Sequence, residues 1–265
     1  MSKVAVKLQF EQSTKDALEA WQQSIRDKAI NIIQKTLPGK ILSLNAKIAE
    51  VDANKEHLFS KSRYYEPSAI GTDVTVYPAS SSSSDLDVPS SKKRKTDSAS
   101  VNGETPSHEE SAHVFTGIVK TPVYLSKAFD ELRAEWDELI ELMDALKMYI
   151  NLQMPQIEDG DTFGVSIQEE ALNEIVRSQD AAYNLIATPY TYHSARGDMA
   201  AKLVRFPGVQ DYAEAIREHD RKSVYRLKMQ LTDVRNMYAV VNDILSKNIA
   251  KISCPKSGNQ MGSYS

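Results

Sequence analysis

The acidic segment from Asp159 to Glu170, DGDTFGVSIQEE, has the residue spacing of a calcium-binding loop. Aspartates occupy its first and third positions, glycine the sixth and glutamate the twelfth, which are anchor positions of an EF-hand. The fifth and ninth positions, however, are Phe163 and Ile167, whose side chains offer no oxygen ligand. The loss of these two sites favours a solvated turn between helices, so we predict no metal here.

Other residues with metal or catalytic chemistry are poorly placed. His108 and His113 in HEESAH are five residues apart, which does not put two zinc ligands on one helix face. The element ESAH has the Glu-x-x-His spacing of di-iron bundles, but no second copy occurs in a predicted helix. Cys254 has no obvious base beside it, and the chain lacks glycine-rich phosphate-binding loops. We therefore predict no catalytic residues, no cofactor and no enzyme activity.

Composition narrows the possible partners. The 265 residues carry a net charge of −4, so no general basic field favours nucleic acid or an anionic membrane. A single cysteine excludes an intrachain disulfide and fits a reducing compartment. No apolar run has the length of a membrane span or a secretory signal. These features predict a soluble intracellular protein.

Residues 62–117 differ sharply from the rest of the chain. They are rich in Ser, Thr, Pro, Asp and Lys, and lack a sustained helical or strand period, so we predict a disordered insert. The insert contains the basic cluster Lys92, Lys93, Arg94 and Lys95. This cluster is typical of a nuclear localisation signal read by an import receptor, although short basic runs also occur by chance in linkers.

Outside the insert, apolar residues recur with the period of an α-helix. Pro38-Gly39 is expected to break or bend the first helical segment, and Ser166, with Glu169 three residues on, is a candidate N-cap of the third. Pro189 and the segment RFPGVQDY predict two further interruptions. The four predicted core stripes are Leu18, Trp21, Ile25, Ala29, Ile32, Ile41, Leu44, Ile48 and Val51; Leu125, Phe129, Leu132, Trp136, Leu139, Met143, Leu146 and Ile150; Ile167, Leu172, Ile175 and Leu185; and Leu227, Leu231, Val234, Tyr238, Val241, Leu245, Ile249 and Ile252.

These stripes predict an all-α fold, a long antiparallel four-helix bundle. Further apolar residues lie beside the main stripes of the second and fourth helices: Ile140, Leu142, Met229, Met237 and Val240. They either broaden the face that packs on the core or form a second seam against a neighbouring subunit. The length and regularity of the stripes favour self-association.

The segment PQIEDGDTFGVSIQEEALNEI strongly resembles the loop and following helix of the 11S proteasome activators, the REG family. The similarity continues through KLVRFPGVQDY and VRNMYAVVNDILSKNIAKI and covers nearly everything except the insert. It implies a four-helix bundle that assembles into a seven-membered ring and docks on the α-ring of the 20S proteasome. Such a ring opens the proteasome gate without ATP and breaks no bond itself. The basic cluster is similar to that of the nuclear, gamma-type subunits.

The resemblance also implies an assignment of segments. Residues 1–61 form helix 1, 62–117 the insert, 118–253 helices 2–4 and 254–265 a flexible tail, with an activation loop at 155–165. The tail enters pockets between α subunits through Met261, Gly262, Ser263, Tyr264 and Ser265. The loop contacts the gate through Gln156, Ile157, Glu158, Asp159, Gly160, Asp161, Thr162, Phe163, Gly164 and Val165.

A loop that displaces part of another protein must be ordered, because ordering it on contact would cost entropy. We expect Pro155 to end helix 2 and Phe163 to anchor the loop in apolar surroundings. Gly160 and Gly164 are expected to supply backbone angles that other residues resist.

The sequence departs from the family pattern in two places, the loop and the tail. Asp161 and Thr162 stand where the family commonly has two asparagines, at the first of which gate opening depends. Aspartate keeps the size and an acceptor but loses the amide donor and adds a charge. We therefore expect the change to affect full activation more than docking. Ser265 follows the tyrosine that ends gamma-type chains and would shift the tail by one residue. The alternatives are a helical scaffold without gate opening and a calcium-regulated helical protein.

Overall fold

A computed structural model describes residues 10–60, 62, 119–156, 163–206 and 208–255, and every regular element in these ranges is helical. The elements are α1 (Gln12–Asn31), a π-helical turn (Ile32–Thr36), α2 (Leu37–Ala53), α3 (Val123–Gln153), α4 (Phe163–Ile186), α5 (Thr188–Arg205) and α6 (Gln210–Ser253). The predicted all-α fold is confirmed. Nearly all of the predicted insert, including its basic cluster, lies outside the described residues, as do loop residues 157–162 and tail residues 256–265.

Ion pairs show how the helices run. Lys40 of α2 lies 2.6 Å from Glu135 and 2.8 Å from Glu138 of α3, and Lys47, two turns later, lies 2.8 Å from Glu131. A later residue of α2 therefore meets an earlier residue of α3, so the two helices are antiparallel. The side chains of Asn45 and Asp52 meet Arg235 and Lys228 of α6 in the same reversed order. With α4 and α5 together as the third member, the chain forms an antiparallel four-helix bundle.

The core is built from the predicted stripes of the second and fourth helices. All eight predicted residues of α3 are at most 2% exposed, from Leu125 to Ile150. In α6, Leu227, Leu231, Val234, Tyr238, Val241, Leu245 and Ile252 are buried and Ile249 is partly buried. The largest fully buried side chain, Trp136, lies near the middle of α3. These two long helices supply most of the buried apolar side chains of the described core, and burying them stabilises the bundle.

The predicted stripe of the first helix is wrong in its first two positions. Leu18 and Trp21 are 45% and 46% exposed, and full burial begins only at Ala29. Trp21 instead lines an open groove together with Met148 of α3 and Tyr183 of α4. No described helix covers this groove, so the start of the apolar face of α1 stays at the surface of the single chain.

Pro38 does not break the first helix. The helix passes through a π-helical turn in which the N–H of Leu37 bonds to the carbonyl of Ile32, five residues back. Proline lacks an N–H, and its ring crowds the carbonyl four residues earlier, here that of Gln34 within the π turn. The wider π turn relieves that crowding, so the expected break takes the form of a local change in helix type.

The third helix begins earlier than expected. Helix α4 starts at Phe163, so Ser166 lies inside it and is not its N-cap. Its buried face is also displaced from the predicted stripe, because Ile167, Leu172 and Leu185 are only partly buried. The fully buried residues are mostly small or carry amides: Gly164, Gln168, Ala171, Ile175, Ser178, Gln179 and Ala182. Both predicted interruptions are confirmed, at the α4–α5 junction before Pro189 and between α5 and α6.

None of the described helices is long and apolar enough to cross a membrane.

Candidate functional site: the loop and tail end of the bundle

The ends of three helices, α3, α4 and α6, lie at one end of the bundle. Helix α3 ends at Gln153 and α4 begins at Phe163, so the two described ends of the predicted activation loop lie there. Helix α6, which runs parallel to α3, ends at Ser253 and places the start of the predicted tail at the same end. Of the predicted loop contacts, the structure describes Gln156, Phe163, Gly164 and Val165. The predicted tail contacts Met261 to Ser265 lie outside the described residues.

Gly164 is in close contact with the backbone that leads into the tail. A Cβ atom added at Gly164 would lie 2.2 Å from the carbonyl oxygen of Pro255 and 2.7 Å from its Cα. Real Cβ contacts are essentially never that short, and the neighbouring atoms are backbone, which cannot turn aside. Glycine is therefore required here by the close approach of another segment. The expectation that Gly164 supplies an unusual backbone angle is wrong, since this residue lies within the regular helix α4.

Gln168 holds the ends of two other helices against α4. This fully buried side chain donates from Nε2 to the carbonyl oxygens of Gln153, at 3.1 Å, and Ile252, at 2.8 Å. The last carbonyls of a helix have no partner within that helix, and a buried carbonyl without a donor is costly. One amide group thus gives a donor to one carbonyl in the C-terminal turn of each of α3 and α6.

Tyr149 makes a second link between the same two helices. Its ring is almost fully buried, and its hydroxyl hydrogen-bonds the hydroxyl of Ser253, 2.9 Å away. Ser253 is the last residue of α6, so the bond fixes the point at which the chain leaves the bundle. The points where the loop leaves α3 and the tail leaves α6 are therefore held by one connected set of contacts.

The outer surface of this end carries apolar side chains. Phe163 is 65% exposed, so the expectation that it anchors the loop in an apolar environment is wrong for the single chain. Met154, directly after α3, is 37% exposed, and Cys254 is also exposed. Anchoring comes from Gln168 instead, and the phenylalanine ring is left facing outward, where a partner could cover it.

Sequence reasoning missed Gln168 and Tyr149. A glutamine that takes the place of an apolar residue on the buried face of a helix is the signal that could have identified the first. Gln179, three turns later on the same face, is a second buried glutamine of this kind, and it accepts a hydrogen bond from Lys147 of α3 at 2.8 Å. Buried amides of this kind mark places where a helix bonds to its neighbours rather than merely packing on them.

A second polar cluster lies where α5 packs on α6. Arg196 and Asp220 form a buried ion pair with Nε and Oδ1 2.9 Å apart, and the Tyr192 hydroxyl donates to the same oxygen at 2.7 Å. Burial, and then the negative charge of Asp220, raise the pKa of Tyr192. The His219 ring stacks on that of Tyr192, with centroids 5.0 Å apart, and contacts the Tyr192 carbonyl. This cluster holds the third helix to the fourth beyond the α4–α5 junction.

Among the described residues, no three His, Cys, Asp or Glu side chains converge in a way that could hold a metal ion. Most of the sequence with calcium-loop spacing continues into helix α4, where Phe163 to Glu170 are helical rather than looped. The polar groups at the loop and tail end hold the described ends of these two segments in position, an arrangement suited to docking on another macromolecule.

The described helices thus form an antiparallel four-helix bundle in which the two ends of the loop and the start of the tail lie at the same end. The profile of the family described as proteasome activator PA28, C-terminal, matches residues 118–262, and this chain belongs to that family. The human protein named proteasome activator complex subunit 3 is 28% identical over 260 residues, which covers 95% of this chain and 96% of the relative.

Solved structures agree with this assignment. The crystal structure of the 11S subunit of the Plasmodium falciparum proteasome, PA28, superposes with a TM-score of 0.73 at 25% identity, over 97% of this chain and 100% of that one. A chain in the crystal structure of an archaeal 20S proteasome in complex with a mutated P26 activator shares the fold, with a TM-score of 0.54 at 14% identity over 91% and 97% of the two chains.

Proposed function

We propose that this chain is a non-catalytic, ATP-independent activator that caps the α-ring of the 20S proteasome and opens its gate. The observation that carries the proposal is the shared anchor of the two predicted contact segments. Gly164 lies against Pro255, and Gln168 bonds to the last turns of both α3 and α6. Membership of the PA28 family supports the same function.

The anchor suggests how docking leads to gate opening. Each tail enters a pocket of the α-ring and binds weakly alone, but several tails on one ring give a strong combined affinity. Because the tail leaves the bundle beside the first turn of α4, its docking fixes the distance of the activation loop from the α-ring surface. A loop with both ends held can then press on a neighbouring turn without losing that force to its own disorder.

We propose further that copies of the chain assemble into a ring, with seven members as the expected number. Two separate grooves offer apolar surface for this contact. The first lies between α1, α3 and α4 and includes Trp21, Ile140 and Met148, and the second lies between α4 and α6 and includes Met237 and Val240. Ring formation joins two different faces of each copy, so two unlike apolar grooves on one chain fit such a contact.

The same proposal places the protein in the nucleus, through recognition of Lys92, Lys93, Arg94 and Lys95 by an import receptor. Replacing these four residues by glutamine in a fluorescently tagged full-length chain tests this directly. We expect the variant to lose its nuclear enrichment, and an unchanged distribution would contradict the assignment.

Peptide hydrolysis by latent 20S proteasome tests the main proposal. We expect the full-length chain to stimulate cleavage of short fluorogenic peptides without ATP, and a chain lacking residues 256–265 to give no stimulation. Rings that cap proteasomes in electron micrographs without any rise in hydrolysis would instead show the scaffold alternative, in which docking occurs and gate opening does not.

A further inference from the structure

A recess away from the loop and tail end of the bundle is lined by side chains that suit an anion. It lies between the α4–α5 junction and α6 and has a volume of about 260 Å³. Phe129 of α3 lines this recess, and the helix ends at Gln153. At a rise of 1.5 Å per residue, the two residues are about 36 Å apart along the helix axis. The polar side chains that line the recess include those of Thr188, Thr191, His219, Lys222, Arg226 and Gln230.

The charge of the recess is unbalanced. Lys222 and Arg226 are four residues apart on one face of α6 at the exposed rim of the recess, and neither forms an ion pair within the part of the chain that the structure describes. Their basic neighbours on the same helix, Arg217, Arg221 and Lys228, each pair with a carboxylate. None of the described aspartates and glutamates lines the recess. Two like charges at this spacing repel each other, and a bound anion would relieve that repulsion.

Gln230 gives a second and independent indication of a ligand. Its side chain forms part of the wall and is only 7% exposed, yet its Oε1 is buried without a hydrogen-bond partner among the described residues. Buried polar atoms are nearly always paired, and an unpaired one destabilises the fold. Oε1 is closed to solvent in this side-chain conformation, so the amide reaches a ligand only when the side chain rotates toward the recess. Its NH₂ group can then donate to a phosphate oxygen.

We propose that this recess binds the phosphate group of a small molecule. Arginine binds phosphate oxygens through two parallel N–H donors and lysine adds a point charge, so Arg226 and Lys222 supply complementary contacts. The volume lies just below the range of about 300–1,000 Å³ that is usual for drug-sized ligands, which favours inorganic phosphate, a short polyphosphate or a small phosphate ester. The site is separate from the loop and tail, so this inference does not depend on the proposed activator function.

Isothermal titration calorimetry of the full-length chain at constant ionic strength tests the site. The probes are inorganic phosphate, tripolyphosphate and glycerol 1-phosphate, and the tightest of the three identifies the source of the phosphate group. We expect saturable binding that weakens at least about tenfold in Lys222→Gln/Arg226→Gln, because each cation supplies charge-assisted hydrogen bonds. The matched control is Lys15→Gln/Arg26→Gln, which removes the same two charges from exposed positions on α1 and should bind like the original chain.

A second variant separates ligand binding from a purely structural role. Gln230→Leu removes the unpaired buried oxygen, so we expect a higher unfolding temperature without ligand and weaker binding of the same phosphate probe. The absence of saturable binding in the original chain would overturn the proposal. So would equal affinity in the original chain, the Lys222→Gln/Arg226→Gln variant and Gln230→Leu.

Discussion

Gly164 and Pro255 are in such close contact that the first turn of α4 leaves no room for a Cβ atom beside the backbone leading into the tail. The two residues are 91 positions apart in the sequence, counting from 164 to 255. They belong to the two segments that are expected to touch the proteasome, so this contact ties the position of one segment to that of the other.

Gly164→Ala should therefore push the start of the tail away from the first turn of α4. The added methyl group must displace the Pro255 backbone, so we expect weaker stimulation of peptide hydrolysis and a chain that is less stable by about 1–3 kcal/mol, typical of overpacking. Gly197→Ala is the matched control, because a Cβ atom there meets nothing within 4 Å. That variant should keep full stimulation and gain up to about 1 kcal/mol from its better helix propensity. Equal stimulation by the two variants would show that the contact has no part in activation.

Gln168→Glu should loosen the same end of the bundle. The variant places a carboxyl group where an amide now donates to the carbonyls of Gln153 and Ile252. Burial raises the pKa of such a group above its unfolded value of about 4.3, so the variant should be most stable below that pH and lose stability as pH rises. Denaturant unfolding measured between about pH 4 and pH 8 checks this. Gln22→Glu, at an exposed position on α1, should show no comparable loss.

Asp220→Asn should strongly destabilise the packing of α5 on α6. The change leaves the buried Arg196 guanidinium without its counter-charge, and breaking a buried ion pair from one side typically costs about 3–5 kcal/mol. Asp243 pairs with Lys247 at an exposed site, so Asp243→Asn should cost under about 1 kcal/mol. Chemical denaturation of both variants makes the comparison. Similar losses from the two substitutions would contradict the structural role of the buried cluster.

Lys40 should make the folded bundle less stable at strongly alkaline pH. Burial works to lower its pKa, but hydrogen bonds and charge attraction from Glu135 and Glu138 outweigh burial and raise it above 10.5. A raised folded-state pKa contributes stability that is fully present below the unfolded value and is lost as pH rises through the folded one. The stability difference between the original chain and Lys40→Gln should therefore be constant from about neutral pH to about pH 10 and shrink above it. A difference that is unchanged at higher pH would mean that the lysine charge contributes nothing.

Asp161→Asn tests whether the departure from the family pattern limits activation. The asparagine restores the amide donor and removes one negative charge from the loop, so we expect greater maximal stimulation with little change in the concentration needed for half-maximal effect. Titration of each protein into latent proteasome measures both quantities. Equally strong stimulation by the two proteins would show that aspartate serves as well as asparagine.

The long helices could be predicted because their apolar residues follow a single face. The α3 stripe from Leu125 to Ile150 is buried as predicted, since a helix packed along its whole length shows its period in the sequence. The face of α4 was placed incorrectly because glycine, alanine and glutamine carry its buried positions, and these residues give a weak hydrophobic signal.

The shared anchor could not be read from sequence at all. Gly164 and Gln168 derive their roles from Pro255 and Ile252, which approach them only after four helices have packed together. Nor could the sequence distinguish a break at Pro38 from the π-helical turn that accommodates it. Spacing along one helix predicts a local face, whereas contacts between distant segments depend on the completed bundle.

The most direct measurement of the central claim is peptide hydrolysis by latent 20S proteasome as full-length chain is added without ATP. We predict a saturable rise in hydrolysis that is absent when residues 256–265 are removed and reduced by Gly164→Ala but not by Gly197→Ala. No rise in hydrolysis at concentrations where electron micrographs show capped proteasomes would contradict gate opening by this chain.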